Sequence, residues 1–249
     1  MARKSRFKAE FLYIFIAAIV VFFIVKYTYG NIINSEYFIV KNIEMIYADE
    51  NNRVTQAKTI LPLKKSINIF NLDLKKCQRQ IEASYPEIKN VRVHRNLPDK
   101  ITVVYQKRVP FCQVKSAKYY LVSEEAVVLP GSSAISYEEL PVVVGIYISE
   151  SRLPRNRRIY SASMYRAIQL IGQIKTTDFE ENYKIKQIDI YDEFNPVIYL
   201  ENGIQIKMGT QNFTTISDKL EEVLADLQSK GLKPKAIDMR FDDIVVTPK

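Results

Sequence analysis

The sequence predicts an α+β fold that a single N-terminal helix tethers to a membrane. Three patterns in the 249 residues lead to this fold class. An apolar run comes first, a strand and helix pattern follows over residues 36–107, and short strand patterns with two amphipathic helices fill residues 108–249. We therefore expect a basic tail over residues 1–10, a membrane helix with its juxtamembrane segment over residues 11–33, and two folded domains after it.

The first element is the apolar run over residues 11–25. A hydrocarbon core of roughly 30 Å takes about 20 helical residues. The run is shorter than this, but apolar character resumes after Lys26, whose ammonium can extend toward the headgroups. A cleaved signal peptide is the alternative, but Tyr27 and Tyr29 lie where a cleavage site needs small residues. A buried helix of a soluble protein fits less well, because such helices usually carry a polar stripe.

Charge predicts the orientation of the chain and its division into domains. Four cations precede the apolar run, against Glu10 alone, so we expect a cytoplasmic N-terminus and an exported remainder. Residues 36–116 carry fifteen Lys and Arg against eight Asp and Glu, whereas residues 117–249 carry sixteen against nineteen. The basic excess of the first exported segment fits either a solvated basic face or a surface attracted to anionic headgroups. Nucleic acid is not an expected partner across the membrane.

The domain over residues 36–107 is predicted as strand, helix, helix, strand, strand. Residues 37–47 are rich in β-branched and aromatic types, as in a strand. Helical spacing over residues 54–61 predicts a first short helix. Asn71 or Asp73 could cap a second helix, which Pro86 closes.

Two segments in which apolar and polar residues alternate complete this domain. They predict strands over residues 89–95 and 100–106, joined by a tight connection over residues 96–99. Two helices would then cover one face of a three-stranded sheet.

The domain over residues 108–249 is predicted as mostly antiparallel β with two flanking helices. Strand patterns occupy residues 111–114, 119–122, 126–129 and 184–191, and a helical stripe spans residues 160–174.

A hairpin and a second helix follow. Asn202-Gly203 lies between two strand patterns and predicts a type I′ turn, in which both central residues have positive φ. A loose capping box over residues 215–218 precedes a helix that Gly231 stops. Residues 237–246 form a final strand pattern.

Catalytic chemistry has little support in the sequence. His94, the one histidine, lies on the polar phase of a strand between arginines, and no GxSxG, Walker or zinc-ligand spacing accompanies it. Cys77 and Cys112 do not make a disulfide framework, and free thiols are at least as expected as a bond. We predict no enzyme activity, cofactor or metal, and a binding protein instead.

An edge strand is the natural binding surface of such a protein. An exposed edge offers unpaired N–H and C=O groups, to which a partner can add a strand. The segment over residues 237–246 is apolar, and little chain follows it to cover it. An ordinary inner strand with a frayed tail fits this segment equally well.

The ordered pieces of the chain resemble the FtsQ/DivIB family of bacterial cell-division proteins. YFIVKNIEM resembles the opening strand of the family's POTRA domain, and SINIFNLDL resembles its entry to the second helix. The segment YPEIKNVRVHRNLPDKITVVYQKRVP resembles the end of that domain, with Arg95, Pro98, Ile101 and Val103 at matching motif positions. YYLVSEEAVVLP, LPVVVGI and IDMRFDDIVVTPK resemble pieces of the family's β domain.

The resemblance implies a POTRA domain of β-α-α-β-β order followed by an FtsQ-type β domain. It implies a non-enzymatic divisome scaffold in the plasma (inner) membrane at the division septum. The implied partners are FtsB-like and FtsL-like bitopic proteins, bound by strand addition near the C-terminus, and an FtsK-like recruiter that contacts the POTRA domain. The contact residues carried over by position are Arg240, Phe241, Asp242, Ile244, Val245 and Val246.

Two other functions fit the same sequence. One is an envelope adaptor or secretion tether whose POTRA domain is unrelated to division. The other is a cell-wall enzyme with the POTRA domain as a targeting module, which needs a cleft of converging catalytic groups over residues 117–249.

Overall fold

The computed structural model describes residues 3–48, 54–62, 67–154, 156–241 and 243–248, with backbone only for residues 3–12 and 54–62. The first element is α1 (Arg3–Ile33). Its part from Tyr13 to Ile33 has 21 residues with a mean hydropathy of 1.9, and it is the one helix in the described chain that is long and apolar enough to cross a membrane. At 1.5 Å per residue this part is roughly 31 Å long, about the thickness of a hydrocarbon core.

After α1 the chain forms two compact units, one with residues up to 81 and residues 90–106, the other with residues 82–89 and 107–249. The first unit is built on a four-stranded sheet of order β2-β1-β4-β3. The sheet and its helix comprise β1 (Asn42–Ala48), β2 (Val54–Pro62), α2 (Leu74–Ser84), β3 (Ile88–Asn96) and β4 (Lys100–Lys107). The end of α2, the first two residues of β3 and the last residue of β4 group with the second unit. The strand predictions for residues 89–95 and 100–106 are therefore confirmed. The strand predicted over residues 37–47 begins only at Asn42, because Glu36–Phe38 form a short 3-10 helix before it.

The helix predicted over residues 54–61 is wrong, because these residues form β2. This strand pairs antiparallel with β1, with Asn42 opposite Pro62 and Ile43 opposite Leu61. The segment VTQAKTILP contains four β-branched residues, which favour a strand when a partner strand is available. The sheet thus has four strands instead of three, and the order of the unit is β-β-α-β-β, while the α+β class is confirmed.

The structure at the N-terminus of α2 distinguishes between Asn71 and Asp73, the two residues predicted as possible caps of this helix. The Asp73 carboxylate accepts a hydrogen bond from the Lys76 backbone N–H at 3.0 Å. This is the bond that an N-cap makes to its third helical residue. Asp73, not Asn71, therefore caps the helix.

The second unit is built on an eight-stranded mixed sheet of order β12-β11-β10-β9-β8-β7-β5-β6. The strands are β5 (Pro110–Lys115), β6 (Tyr119–Ser123), β7 (Val142–Val144), β8 (Ile185–Asp189), β9 (Val197–Leu200), β10 (Gln205–Lys207), β11 (Ala236–Asp238) and β12 (Val245–Thr247). The helices are α3 (Ala162–Lys175), α4 (Phe179–Asn182) and α5 (Phe213–Ser229). Both long helices bury one face in a single core with the strands.

The turn between β9 and β10 differs from the predicted type I′ turn. Gly203 has φ +89, but Asn202 is not in the positive region. The Gly203 N–H donates to the Leu200 carbonyl at 3.0 Å, which closes a turn one residue longer than predicted. A glycine in this position fits the three-residue hairpin loop, whose last residue needs a left-handed conformation.

The start of α5 is capped from another helix. The Phe213 backbone N–H donates to the Gln173 side-chain oxygen of α3 at 2.9 Å. The helix therefore begins at Phe213, and the loose capping box over residues 215–218 lies inside it. Gly231, with φ +67, stops the helix as predicted.

One ion-pair cluster of the second unit surrounds Glu125. Its carboxylate accepts hydrogen bonds from Ser123 Oγ at 2.7 Å and Lys89 Nζ at 3.2 Å. Arg108 Nη1 lies 2.7 Å from Glu125 Oε2 as an ion pair, without the alignment of a hydrogen bond. Burial alone would raise the pKa of Glu125, but these hydrogen bonds and the Arg108 charge outweigh it and lower the pKa to about 2.

Gly145 follows β7 in a conformation that only glycine adopts easily. Its φ is +90, and a Cβ at this position would lie 2.8 Å from the Tyr191 Cα and closer still to the Tyr191 nitrogen. Backbone atoms cannot move aside as the end of a flexible side chain can. The glycine is therefore needed both for its φ and for the close approach of the chain after β8.

We expect Gly145→Ala to lower the free energy of unfolding by more than about 2 kcal/mol, because backbone strain adds to a steric clash. Gly203→Ala is the matched control, because Gly203 has φ +89 but a Cβ there would meet nothing within 4 Å. The control should lose only about 1 kcal/mol of backbone strain. Urea unfolding of both variants in detergent measures the difference, and equal losses would contradict the clash.

We expect Glu125→Gln to lower the free energy of unfolding by about 1–2 kcal/mol at neutral pH, because it leaves two cations facing a neutral amide. The carboxyl pKa is lowered in the fold, so this stability is present above its ordinary value near 4.5 and is lost as the pH falls toward 2. The difference in the free energy of unfolding between wild type and Glu125→Gln should therefore be smaller at pH 3 than at pH 7. Glu124→Gln, at an exposed neighbouring position, is the control and should have little effect at either pH.

Candidate partner-binding strand edge

The C-terminal strand pattern over residues 237–246 is a hairpin, not one strand. β11 and β12 pair antiparallel, with Ile237 opposite Val246 and Asp238 opposite Val245. The turn between them is fixed by Asp238, whose carboxylate accepts hydrogen bonds from the backbone N–H and the guanidinium of Arg240. The charged residues Arg240, Asp242 and Asp243 interrupt the apolar pattern after Met239, and this favours a reversal of the chain there.

The eight-stranded sheet has two edges, and the chain covers one of them. β6 is the strand at one end of the order. The segment over residues 126–133 runs beside it, where the Leu129 N–H donates to the Leu121 carbonyl at 2.9 Å and Tyr119 and Ser133 exchange two backbone hydrogen bonds. These bonds pair outer backbone groups of β6 within the chain, although residues 126–129 form bridges and not the regular strand predicted there.

β12 is the strand at the other end of the order. Within the part of the chain that the structure describes, it pairs with β11 and with no strand on its outer side. The hairpin therefore makes β12 the open edge, where the sequence had left an edge strand and an inner strand equally plausible. The edge is three residues long, from Val245 to Thr247.

The structure distributes the six predicted contact residues over three positions. Arg240 and Phe241 lie in the hairpin turn, Ile244 packs on the core just before β12, and Val245 and Val246 lie in β12 itself. Asp242 lies outside the described residues. Phe241 is 60% exposed and Val245 52% exposed, so both can be touched from outside.

The Arg240 guanidinium already has an anionic partner within the chain. Its Nε and Nη2 atoms donate to the two Asp238 carboxylate oxygens at 2.9 and 2.6 Å. These hydrogen bonds lower the pKa of Asp238 despite its partial burial. A partner carboxylate would therefore compete with Asp238 for Arg240. The guanidinium also lies 5.5 Å from the centre of the Phe241 ring, which it helps to orient.

A shallow groove lies near the hairpin turn, and the sequence did not reveal it. Tyr165 and Phe194 line it, and both rings are exposed. Arg166 of α3 lines it too and donates to the Gly209 carbonyl at 3.0 Å. A Cβ on Gly209 would lie 3.5 Å from the Arg240 Cα, so this loop connects the groove to the turn. The lining residues are far apart in sequence, and no local pattern links them.

The four POTRA motif residues make contacts within the first unit. Arg95 donates to the Ile69 carbonyl at 2.8 Å and to the Leu72 carbonyl at 2.7 Å. Pro98 lies in the turn between β3 and β4. Ile101 and Val103 are buried in the core. These contacts give the motif a structural explanation, and none of them identifies a partner.

Possible metal ligands and reactive side chains do not cluster among the described residues. No group of three or more His, Cys, Asp or Glu residues lies close enough there to hold a metal ion. His94 is exposed, and Cys77 and Cys112 are free thiols. Burial raises the pKa of Cys112 to about 12, which leaves it protonated and unreactive near neutral pH.

Comparison with known proteins agrees with this architecture. Residues 43–108 match the POTRA domain of FtsQ type, and residues 111–240 match the C-terminal domain of the cell division protein FtsQ/DivIB. The cell division protein DivIB of Clostridium acetobutylicum is 27% identical over 212 residues, which cover 82% of this chain and 80% of the relative.

Two further relatives are cell division proteins FtsQ. That of Geotalea daltonii is 21% identical over 183 residues, which cover 73% of this chain and 65% of the relative. That of an Anaeromyxobacter species is 22% identical over 153 residues, 61% of this chain and 51% of the relative.

The two domain matches lie in the order that the two compact units show, after one helix long enough to span a bilayer. The apolar helix and the relatives together support a single-pass membrane protein. From these matches, the chain belongs to the FtsQ/DivIB family of cell-division proteins.

Proposed function

We propose that this chain is a non-enzymatic scaffold of the bacterial division machinery that binds an FtsB-like bitopic partner, and through it an FtsL-like protein, by strand addition on β12. The observation that carries the proposal is the contrast between the two edges of the large sheet. The edge at β6 is covered by residues 126–133, whereas β12 is open in the described chain. Native proteins usually protect their edges, so an open edge beside exposed apolar side chains favours a binding role.

The short edge limits what the backbone can contribute. A three-residue strand offers few hydrogen bonds, each worth about 1 kcal/mol net. Side chains must therefore supply most of the affinity and the selectivity. Phe241 and Val245 provide exposed apolar area at the edge, and the groove with Tyr165 and Phe194 extends that surface.

The proposal also covers the arrangement of the chain in the cell. The basic tail over residues 1–10 stays in the cytoplasm, because cations flank the membrane helix on that side. The domains over residues 36–107 and 108–249 lie outside the cytoplasm at the septum. The first of them receives an FtsK-like recruiter, and the second holds the FtsB-like partner.

We expect Phe241→Ala to weaken binding of the extracytoplasmic segment of the FtsB-like partner by about tenfold, equivalent to about 1.4 kcal/mol. Calorimetric titration of the purified full chain in detergent measures this change. Tyr147→Ala is the matched control, because Tyr147 is a 79% exposed aromatic residue of the same unit that lies outside the hairpin. Unchanged binding after both Phe241→Ala and removal of residues 244–249 would exclude β12 as the site.

A fluorescent fusion of the chain in its host separates the division scaffold from the envelope tether. We expect rings at midcell that depend on the division machinery, and filamentous cells when the protein is depleted. A uniform or polar signal, with normal division after depletion, would favour the tether.

A further inference from the structure

The end of the membrane helix is held by a side chain from the first unit. Asn68 Nδ2 donates to the Ile33 carbonyl, the last of α1, at 2.6 Å. The final carbonyls of a helix have no partner within the helix, so this bond acts as a C-terminal cap. The other atom of the same amide, Oδ1, accepts from the Phe70 backbone N–H at 2.9 Å. Asn68 thus joins the helix end to the turn that carries Phe70.

The chain on both sides of Asn68 is fixed as well. The Ile69 N–H donates to the Phe38 carbonyl at 2.8 Å, and the Val40 N–H donates to the Ile67 carbonyl at 2.9 Å. Arg95 holds the Ile69 carbonyl from the β3 side. Residues 67–70 therefore link the end of the membrane helix to the first unit through hydrogen bonds.

Three aromatic rings form a continuous surface at this connection. The rings of Tyr37 and Phe38 have centres 5.3 Å apart, and those of Phe38 and Phe70 are 5.1 Å apart. Tyr37 is 66% exposed and Phe70 36% exposed. A contiguous group of exposed aromatic rings is typical of a surface that contacts a membrane or a protein partner.

The length of the membrane helix gives the position of these rings. The span from Tyr13 to Ile33 is about as long as the hydrocarbon core is thick. Tyr37 follows only four residues after Ile33, so it falls within the headgroup region, which extends several ångströms beyond the core. Tyrosine is one of the residues enriched at this depth, because its ring is amphipathic.

We propose that Tyr37, Phe38 and Phe70 form a lipid-docking surface, which inserts into the boundary between headgroups and acyl chains. The occupant is bilayer lipid, because the surface continues directly from the membrane span. Through Asn68 and Arg95, the lipid contact sets the tilt of the first unit on the membrane. This role goes beyond partner binding at β12 and does not depend on it.

The absence of tryptophan from the chain allows a direct test. Tyr37→Trp and Phe70→Trp each introduce a single fluorophore into the full-length protein. Each variant is placed, one copy per disc, in nanodiscs of phosphatidylethanolamine and phosphatidylglycerol with lipids brominated high on the acyl chain. Tyr105→Trp is the matched control, because Tyr105 lies five residues along β4 from Lys100, about 17 Å from the end of the strand beside Lys41.

We expect Tyr37→Trp and Phe70→Trp to lose about half of their emission to the brominated lipids and to resist quenching by aqueous iodide, as at an interfacial depth. Tyr105→Trp should keep its emission in the presence of brominated lipids and be quenched by aqueous iodide. If one variant fails to reconstitute, the other decides the outcome. Iodide quenching of the two cluster variants without lipid quenching, or equal lipid quenching of all three positions, would overturn the proposal.

Discussion

The exposed backbone of a strand edge is the constraint on which this account depends. Every sheet that does not close on itself ends in two rows of unpaired N–H and C=O groups. In the large sheet, residues 126–133 pair with the outer row of β6. Within the described chain, the outer row of β12 has no strand paired with it. The asymmetry arises from the connection after β6, because its residues 126–133 turn back and pair with that strand. A binding role for β12 needs no cleft, cofactor or reactive group.

Side-chain hydrogen bonds support the backbone around this edge. The bidentate contact between Arg240 and Asp238 shapes the hairpin turn, and Arg166 holds the neighbouring loop through the Gly209 carbonyl. The side chains that a partner would meet are therefore presented from fixed backbone, which lowers the entropy lost on binding. At the other end of the chain, Asn68 and Arg95 do the same for the aromatic surface after the membrane helix.

The sequence predicted the elements whose signals are local. The membrane helix, β1, β3, β4 and the stop at Gly231 follow from apolar runs, alternation and one glycine. The sequence-based prediction failed where a residue far away in the sequence determines the local structure. β2 is a strand because β1 pairs with it, and α5 begins at Phe213 because Gln173 of another helix caps it. The groove at Tyr165 and Phe194 exists only once α3 and the loop after β8 come together.

Backbone pairing at β12 can be observed residue by residue. Hydrogen exchange of the full chain, measured by mass spectrometry with and without the extracytoplasmic segment of the FtsB-like partner, tests it most directly. Strand addition at β12 should slow the exchange of amides in Val245–Thr247 on binding and change little in β6, where residues 126–133 already pair with the strand. Tight binding that leaves exchange in β12 unchanged and slows it elsewhere would contradict strand addition at this edge.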